Sequence, residues 1–174
     1  PRGKVPAYHA GVPASEQMFR SIRKQIEIFQ PDTVVLCAEV FANFASKDST
    51  LIRRLLGAFP KSEIEIIATL RRPDEYLASW HGQRFRFGHK MEALRETALA
   101  GYFPGIHFDY RLMLERWIAE VGKEAVSLRN YRTALAKGGA IPDFAEAAGL
   151  TFAPGLRHDI TANASMRYCQ YEIA

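Results

Sequence analysis

Arg71 and Ser79 stand eight residues apart, with Arg72-Pro73-Asp74-Glu75 following the first of them. A guanidinium offers parallel, charge-assisted N–H donors to an oxyanion, each hydrogen bond contributing about 1.5–3 kcal/mol, and a serine hydroxyl adds a further donor. Residues of these types suit the grip of a phosphate. Two other residues suit the taking of a proton: Glu39, which closes an apolar run, and His9, in a Pro- and Gly-rich opening stretch. A plainer reading of the first group stays open, in which Arg71 and Arg72 pair with Asp74 and Glu75 and Ser79 is an ordinary helix-surface residue.

The elements that must position these groups are legible around them. Glu63 to Leu70 is a short β-branched and apolar run that reads as a buried strand. Pro73 suits the first turn of a helix, where its missing N–H would have no intrahelical partner, and Asp74 and Glu75 complement the positive end of the dipole. The order is strand, tight turn, helix. In an open α/β sheet the carboxyl end of a strand is where ligands bind, and a helix N-terminus there favours anions. Upstream, Ser15 caps an amphipathic helix with Met18, Phe19, Ile22, Ile26 and Phe29 on one stripe, and Pro31-Asp32 breaks it. Thr33 to Ala38 reads as a second buried strand, which places Glu39 at a strand's carboxyl edge. Asp48, Ser49 or Thr50 caps a helix that Gly57 and Pro60 stop. Strands alternating with helices predict a parallel sheet with right-handed crossovers.

Composition narrows the classes. The 174 residues are 48% hydrophobic and 24% charged, enough for one domain with its own core. A net charge of +4 favours acidic or phosphorylated small molecules, and no basic block suggests a nucleic-acid arm. Cys37 and Cys169 have neither metal nor disulfide-framework spacing, so a reducing, cytoplasmic setting is expected. No apolar run reaches membrane-spanning length, and no signal peptide is visible. The chain opens on Pro1 and closes inside an expected helix, so a leader or anchor outside it stays open.

Beyond Trp80, the helix carries His81, Gln83, Arg84, Phe85 and Arg86 toward Gly88. This is either a solvated helix end or a wall that attracts an acidic acceptor. Lys90 to Ala100 predicts another helix. A long amphipathic one follows, with His107, Asp109 and Arg111 among Phe108, Tyr110, Leu112, Leu114, Trp117, Ile118 and Val121, closed by Gly122. Ala125 to Tyr131 reads as a strand, and Ile141 to Leu150 as a short helix with Pro142 near its start and Gly149 at its stop.

The order Arg71, Pro73, Ser79 resembles the 3′-phosphate signature of sulfotransferases. The downstream order resembles the second half of the same enzymes: a tryptophan-bearing helix, a glycine, a strand ending in tyrosine, then a helix finishing Ala-Gly-Leu. The resemblance implies a three-layer α/β/α domain with a central parallel sheet of the P-loop NTPase-like, sulfotransferase type, covering residues 1–174. It implies the co-substrate 3′-phosphoadenosine 5′-phosphosulfate, with no metal. Arg71 and Ser79 would clamp its 3′-phosphate, Tyr131 would lie near the adenine, and Arg157, ahead of a last helix, would be a further cofactor contact. The acceptor would be a carbohydrate, lipid or other small molecule bearing a hydroxyl or amine.

Within this resemblance either Glu39 or His9 serves as catalytic base: small-molecule sulfotransferases use a histidine, heparan-type ones a glutamate. The chain departs from the pattern at its start, since no strand and phosphate-cradling loop is visible in Pro1 to Val12. Either they precede Pro1, which is the expectation, or they are lost and the protein cannot transfer sulfate. A P-loop kinase would need a Walker loop and Mg²⁺-binding acids, neither visible, and a nucleotide-binding relative without turnover stays open beside it. No Gly-x-Ser-x-Gly elbow, metal-ligand spacing or dinucleotide glycine fingerprint occurs.

Overall fold

The computed structural model describes residues 15–44, 48, 50–152 and 155. Helix α1 (Ser15–Phe29) ends where Gln30 takes a left-handed conformation, φ 44, and its N–H donates to the Ile26 carbonyl at 2.8 Å. Phe19, Ile22 and Ile26 turn inward as the stripe predicts, whereas Met18 and Phe29 stay exposed. Asp48 sets up helix α2 (Thr50–Gly57) by accepting from the Thr50 N–H at 2.9 Å and the Thr50 hydroxyl at 2.7 Å.

Strand β1 (Ile66–Leu70) runs into helix α3 (Pro73–Arg86), with Pro73 in the first turn beside Asp74 and Glu75. A short helix α4 (Glu96–Ala100), a chain of turns and helix α5 (Arg111–Val121) follow. Gly122, at φ 87, redirects the chain through a 3-10 turn (Lys123–Ala125) into β2 (Val126–Asn130). Helices α6 (Tyr131–Ala136) and α7 (Ala140–Ala147) come last among the described residues.

Strands β1 and β2 pair in parallel, from Ile66 opposite Val126 to Leu70 opposite Asn130. The architecture is mixed α/β and mostly helical, with a two-stranded parallel sheet among the described residues. The core joins α2 and α5: Ile52, Leu55 and Trp117 are buried, with Phe19, Phe41, Phe44 and Phe59 against them and Phe44 stacked on Trp117 at 6.4 Å. Leu77 and His81 of α3 and Tyr102 and Ile106 in the turns before α5 are buried as well, and the His81 and Tyr102 rings meet edge-on at 6.1 Å.

Several expectations need correction. Residues 33–38 form no strand, pair with no described strand and are exposed, including Val34, Val35 and Leu36. An apolar run supplies the propensity of a strand but not the partner edge it needs. Glu39 therefore does not end a strand; it opens a 3-10 turn, Glu39–Asn43. The helix expected over Lys90 to Ala100 forms only from Glu96, and the next begins at Arg111, leaving His107 in a turn and Asp109 outside the helix. Gly101, Pro104 and Gly105 fall in that stretch, where their backbone preferences favour turns.

Candidate functional site

Both strands deliver their last residues to the same edge and pass directly into helices. The Arg71 carbonyl accepts a hydrogen bond of 2.8 Å from the Tyr110 hydroxyl, which fixes the strand end against the start of α5. On the other strand, the Asn130 side chain accepts from the N–H groups of Arg132 at 2.9 Å and Thr133 at 3.3 Å. This cap starts α6 at Tyr131, so the tyrosine opens a helix and does not close the strand. The Arg71 guanidinium carbon lies 5.1 Å from the centre of the Tyr131 ring, within cation–π range.

Charge at this edge is shared unevenly. Arg72 is committed to Asp74, with contacts of 3.1 and 2.7 Å. Glu75 binds Arg132 closely, at 2.9 and 2.6 Å, and only approaches Arg71, at 3.6 Å. One part of the plainer sequence reading thus holds, since both arginines face the acids of the first helical turn. The Arg71 Nε is nevertheless buried without a hydrogen bond among the described residues. Ser79 is half-buried on α3 and has no described hydrogen-bond partner. Helical spacing puts it one turn beyond Glu75 on the same face.

A second cluster lies along the face of α3 that carries Tyr76, Trp80 and Arg84, spaced four residues apart. His107 stacks on Trp80 at 4.6 Å and on Tyr76 at 5.6 Å, and its Nδ1 is hydrogen-bonded to the Tyr76 hydroxyl at 3.0 Å. Burial, then the charge of Arg84, lowers the His107 pKa below its ordinary 6.5. Burial, then the charge of Glu39, raises that of Tyr76. The Tyr110 pKa is raised by burial and by Tyr76, with Arg71 opposing. Through Tyr110 the two clusters adjoin, its ring standing edge-on to Tyr76 at 6.4 Å while its hydroxyl holds the end of β1.

Beneath this face, the His81 Nδ1 is hydrogen-bonded to the Tyr102 hydroxyl at 3.1 Å, and Arg84 donates to the same oxygen at 3.5 Å. Burial lowers the His81 pKa; a hydrogen bond with the Glu92 backbone opposes this and Arg84 adds to it.

Of the residues singled out in the sequence, Arg71 and Tyr131 are brought into contact, Ser79 lies on α3 one turn beyond Glu75, and Glu39 is exposed at the start of the 3-10 turn. His9 and Arg157 lie outside the described residues. Sequence reasoning missed His107, Glu75 and Tyr110 as members of a site. The four-residue spacing of Tyr76, Trp80 and Arg84 was a visible signal of a shared helix face; nothing local indicated that a histidine in a distant turn would stack on it. No group of three or more metal-ligating side chains gathers among the described residues. None of their helices is long and apolar enough to cross a membrane.

Comparison of the chain with protein-family models, characterised proteins and solved structures found no match.

Proposed function

We propose that this chain is a sulfotransferase domain that binds 3′-phosphoadenosine 5′-phosphosulfate, with the ribose 3′-phosphate held by Arg71 and Ser79 and the nucleotide lying against Tyr131. The observation that carries the reading is the half-buried Arg71 guanidinium beside Tyr131 at the carboxyl edge of two parallel strands, its Nε without a hydrogen bond. A phosphate there would gain charge-assisted hydrogen bonds from Arg71 and lie near the first turn of α3. The finer architecture that goes with this reading is a three-layer α/β/α domain with a larger parallel sheet; the β1/β2 pairing, each strand passing into a helix, supports it. Arg157 belongs to the same proposal as a further nucleotide contact, and the cytoplasm is the proposed setting, with Cys37 a free exposed thiol.

In the transfer, the acceptor oxygen or nitrogen forms a bond to sulfur as the bond from sulfur to the 5′-phosphate oxygen breaks. The products are the sulfated acceptor and 3′-phosphoadenosine 5′-phosphate. The acceptor's proton goes to a base, with Glu39 and His9 proposed from the sequence. Arg71 serves the 3′-phosphate; as in phosphoryl transfer, the charge that builds on the departing 5′-phosphate would be met by positive groups and N–H donors beside it, which the resemblance assigns to the phosphate-cradling loop that is not visible in Pro1 to Val12.

The proximity of Glu75 favours a rival in which Arg71 is structural, tying the start of α3 to α6 through the shared carboxylate. Calorimetry separates the two. Arg71→Ala is expected to weaken 3′-phosphoadenosine 5′-phosphate by about 10- to 100-fold, in line with one lost charge-assisted interaction, while leaving 5′-AMP nearly unchanged. Equal weakening of both nucleotides, or no preference for the 3′-phosphate in the unsubstituted protein, would sink the transferase reading.

A further inference from the structure

Three charged side chains meet where β1 and β2 pass into their helices, and one carboxylate serves two guanidinium groups. Nε and Nη2 of Arg132 both reach the same oxygen of Glu75, Oε1, at 2.9 and 2.6 Å. The other oxygen, Oε2, faces Nε of Arg71 at 3.6 Å, within ion-pair range but too long for a hydrogen bond. Glu75 thus leans to Arg132 and leaves the buried Arg71 Nε without a hydrogen bond among the described residues. The backbone that carries the two arginines is pinned: the Tyr110 hydroxyl donates to the Arg71 carbonyl at 2.8 Å, and the Arg132 N–H donates to the Asn130 side chain at 2.9 Å. Redistributing Glu75 between the arginines therefore needs side-chain rotation only.

An anion arriving at Arg71 meets this carboxylate in two ways. Glu75 competes with it for the guanidinium, and the charge of Glu75 repels it at short range. Arg132 opposes both effects, because its two short charge-assisted contacts hold Glu75 back and offset its charge. Arg72 takes no part, being committed to Asp74 at 2.7 and 3.1 Å. With Glu75 on Arg132 the Arg71 guanidinium is open to a ligand; with Glu75 on Arg71 it is occupied. The apparent affinity for the anion then scales with the fraction of molecules in the open arrangement.

We propose that Glu75 is an internal competitor for the anion site at Arg71, and that Arg132 is the positioning residue that draws it away. This rests on the reading of Arg71 as the 3′-phosphate ligand and adds the residues that set how tightly that phosphate is held. Arg132 acts through Glu75 and not on the ligand. In a transferase the consequence falls on product release. A carboxylate beside Arg71 keeps 3′-phosphoadenosine 5′-phosphate below the affinity that the guanidinium alone would give, and so speeds the departure of product, a step that limits turnover in many enzymes.

Calorimetry of the full chain with 3′-phosphoadenosine 5′-phosphate and with 5′-AMP, at fixed ionic strength, is the test. Glu75→Gln is expected to tighten the first by about 3- to 10-fold, the size of one partly buried charge pair, and to leave the second within about twofold. Arg132→Gln, at a side chain 63% exposed and so with little packing to lose, should weaken the first by a similar factor. Adding Glu75→Gln to that variant should restore at least the affinity of the unsubstituted protein. Neither a loss of structure in Arg132→Gln nor a direct contact of Arg132 with the phosphate would be rescued in that way. A weaker or unchanged affinity in Glu75→Gln, as a purely structural tie between α3 and α6 would give, overturns the proposal. So does a double variant as weak as Arg132→Gln. In both cases a preference of the unsubstituted protein for the 3′-phosphate would keep Arg71 as its ligand. Absence of that preference would remove the nucleotide site, and this proposal with it.

Discussion

Arg71 and Tyr131 leave the carboxyl ends of two adjacent parallel strands at the same level, and the guanidinium carbon of one lies 5.1 Å from the ring centre of the other. The relationship follows from register. Leu70 pairs with Asn130, so the next residue of each chain emerges side by side, at the point where each strand turns into a helix. Glu75 fastens the arrangement from below, reaching from α3 to Arg132 on α6.

The placement of Tyr131 depends on a single capping side chain. Asn130→Ala removes the acceptor for two backbone N–H groups and is expected to cost about 1 kcal/mol, within a usual span of about 0.5–2. Asn130→Asp should retain most of it. Urea unfolding gives the stability change. If Tyr131 acts on the nucleotide as proposed, affinity for 3′-phosphoadenosine 5′-phosphate should fall alongside stability in the alanine variant, and a variant of wild-type stability and affinity would show that the cap does not position the ring.

Arg129 and Asp143 join β2 to α7, and Asp143 is only 2% exposed. Asp143→Ala leaves a half-buried guanidinium with Glu146, at 3.6 Å, as its remaining carboxylate among the described residues. Its thermal midpoint should drop by more than that of Glu120→Gln, which breaks the exposed contact to Arg53. The Arg129 hydrogen bonds hold the Asp143 carboxyl below its ordinary 3.8. The pair's contribution is therefore fully present above pH 3.8 and is lost as pH falls through the lower folded-state value. A midpoint for Asp143→Ala equal to that of Glu120→Gln would contradict the argument.

His81 and His107 make the fold sensitive to milder acid. Burial lowers both pKa values below 6.5, and Arg84 acts on each from α3. Between the folded and unfolded values the unfolded chain binds more protons, so unfolding free energy rises with pH in that window. Stability is fully present above 6.5 and declines as pH falls through the folded-state values. Denaturant midpoints measured from about pH 5 to about pH 7.5 should climb, and His107→Gln should flatten part of the slope. A flat profile for the unsubstituted protein would refute the burial of neutral imidazoles.

What the sequence determined by itself is local. The strand before Arg71, Pro73 and the acids of the first turn, the inward positions Phe19, Ile22 and Ile26 of α1, and the stop at Gly122 all follow from propensities and periodicities that act over a few residues. Arg71 and Ser79, whose types suit a phosphate, are legible for the same reason. The tertiary structure alone decided their neighbours. Pairing of strands that start 60 residues apart brought Tyr131 to Arg71, and packing of the turns before α5 on one face of α3 brought His107 to Tyr76 and Trp80. It also left residues 33–38 exposed without a described strand beside them, although their β-branched, apolar composition favours a strand. Propensity is a property of a segment, whereas a sheet edge, a stacked ring or an unmatched guanidinium exists only between segments, and so depends on how distant parts of the chain are packed together.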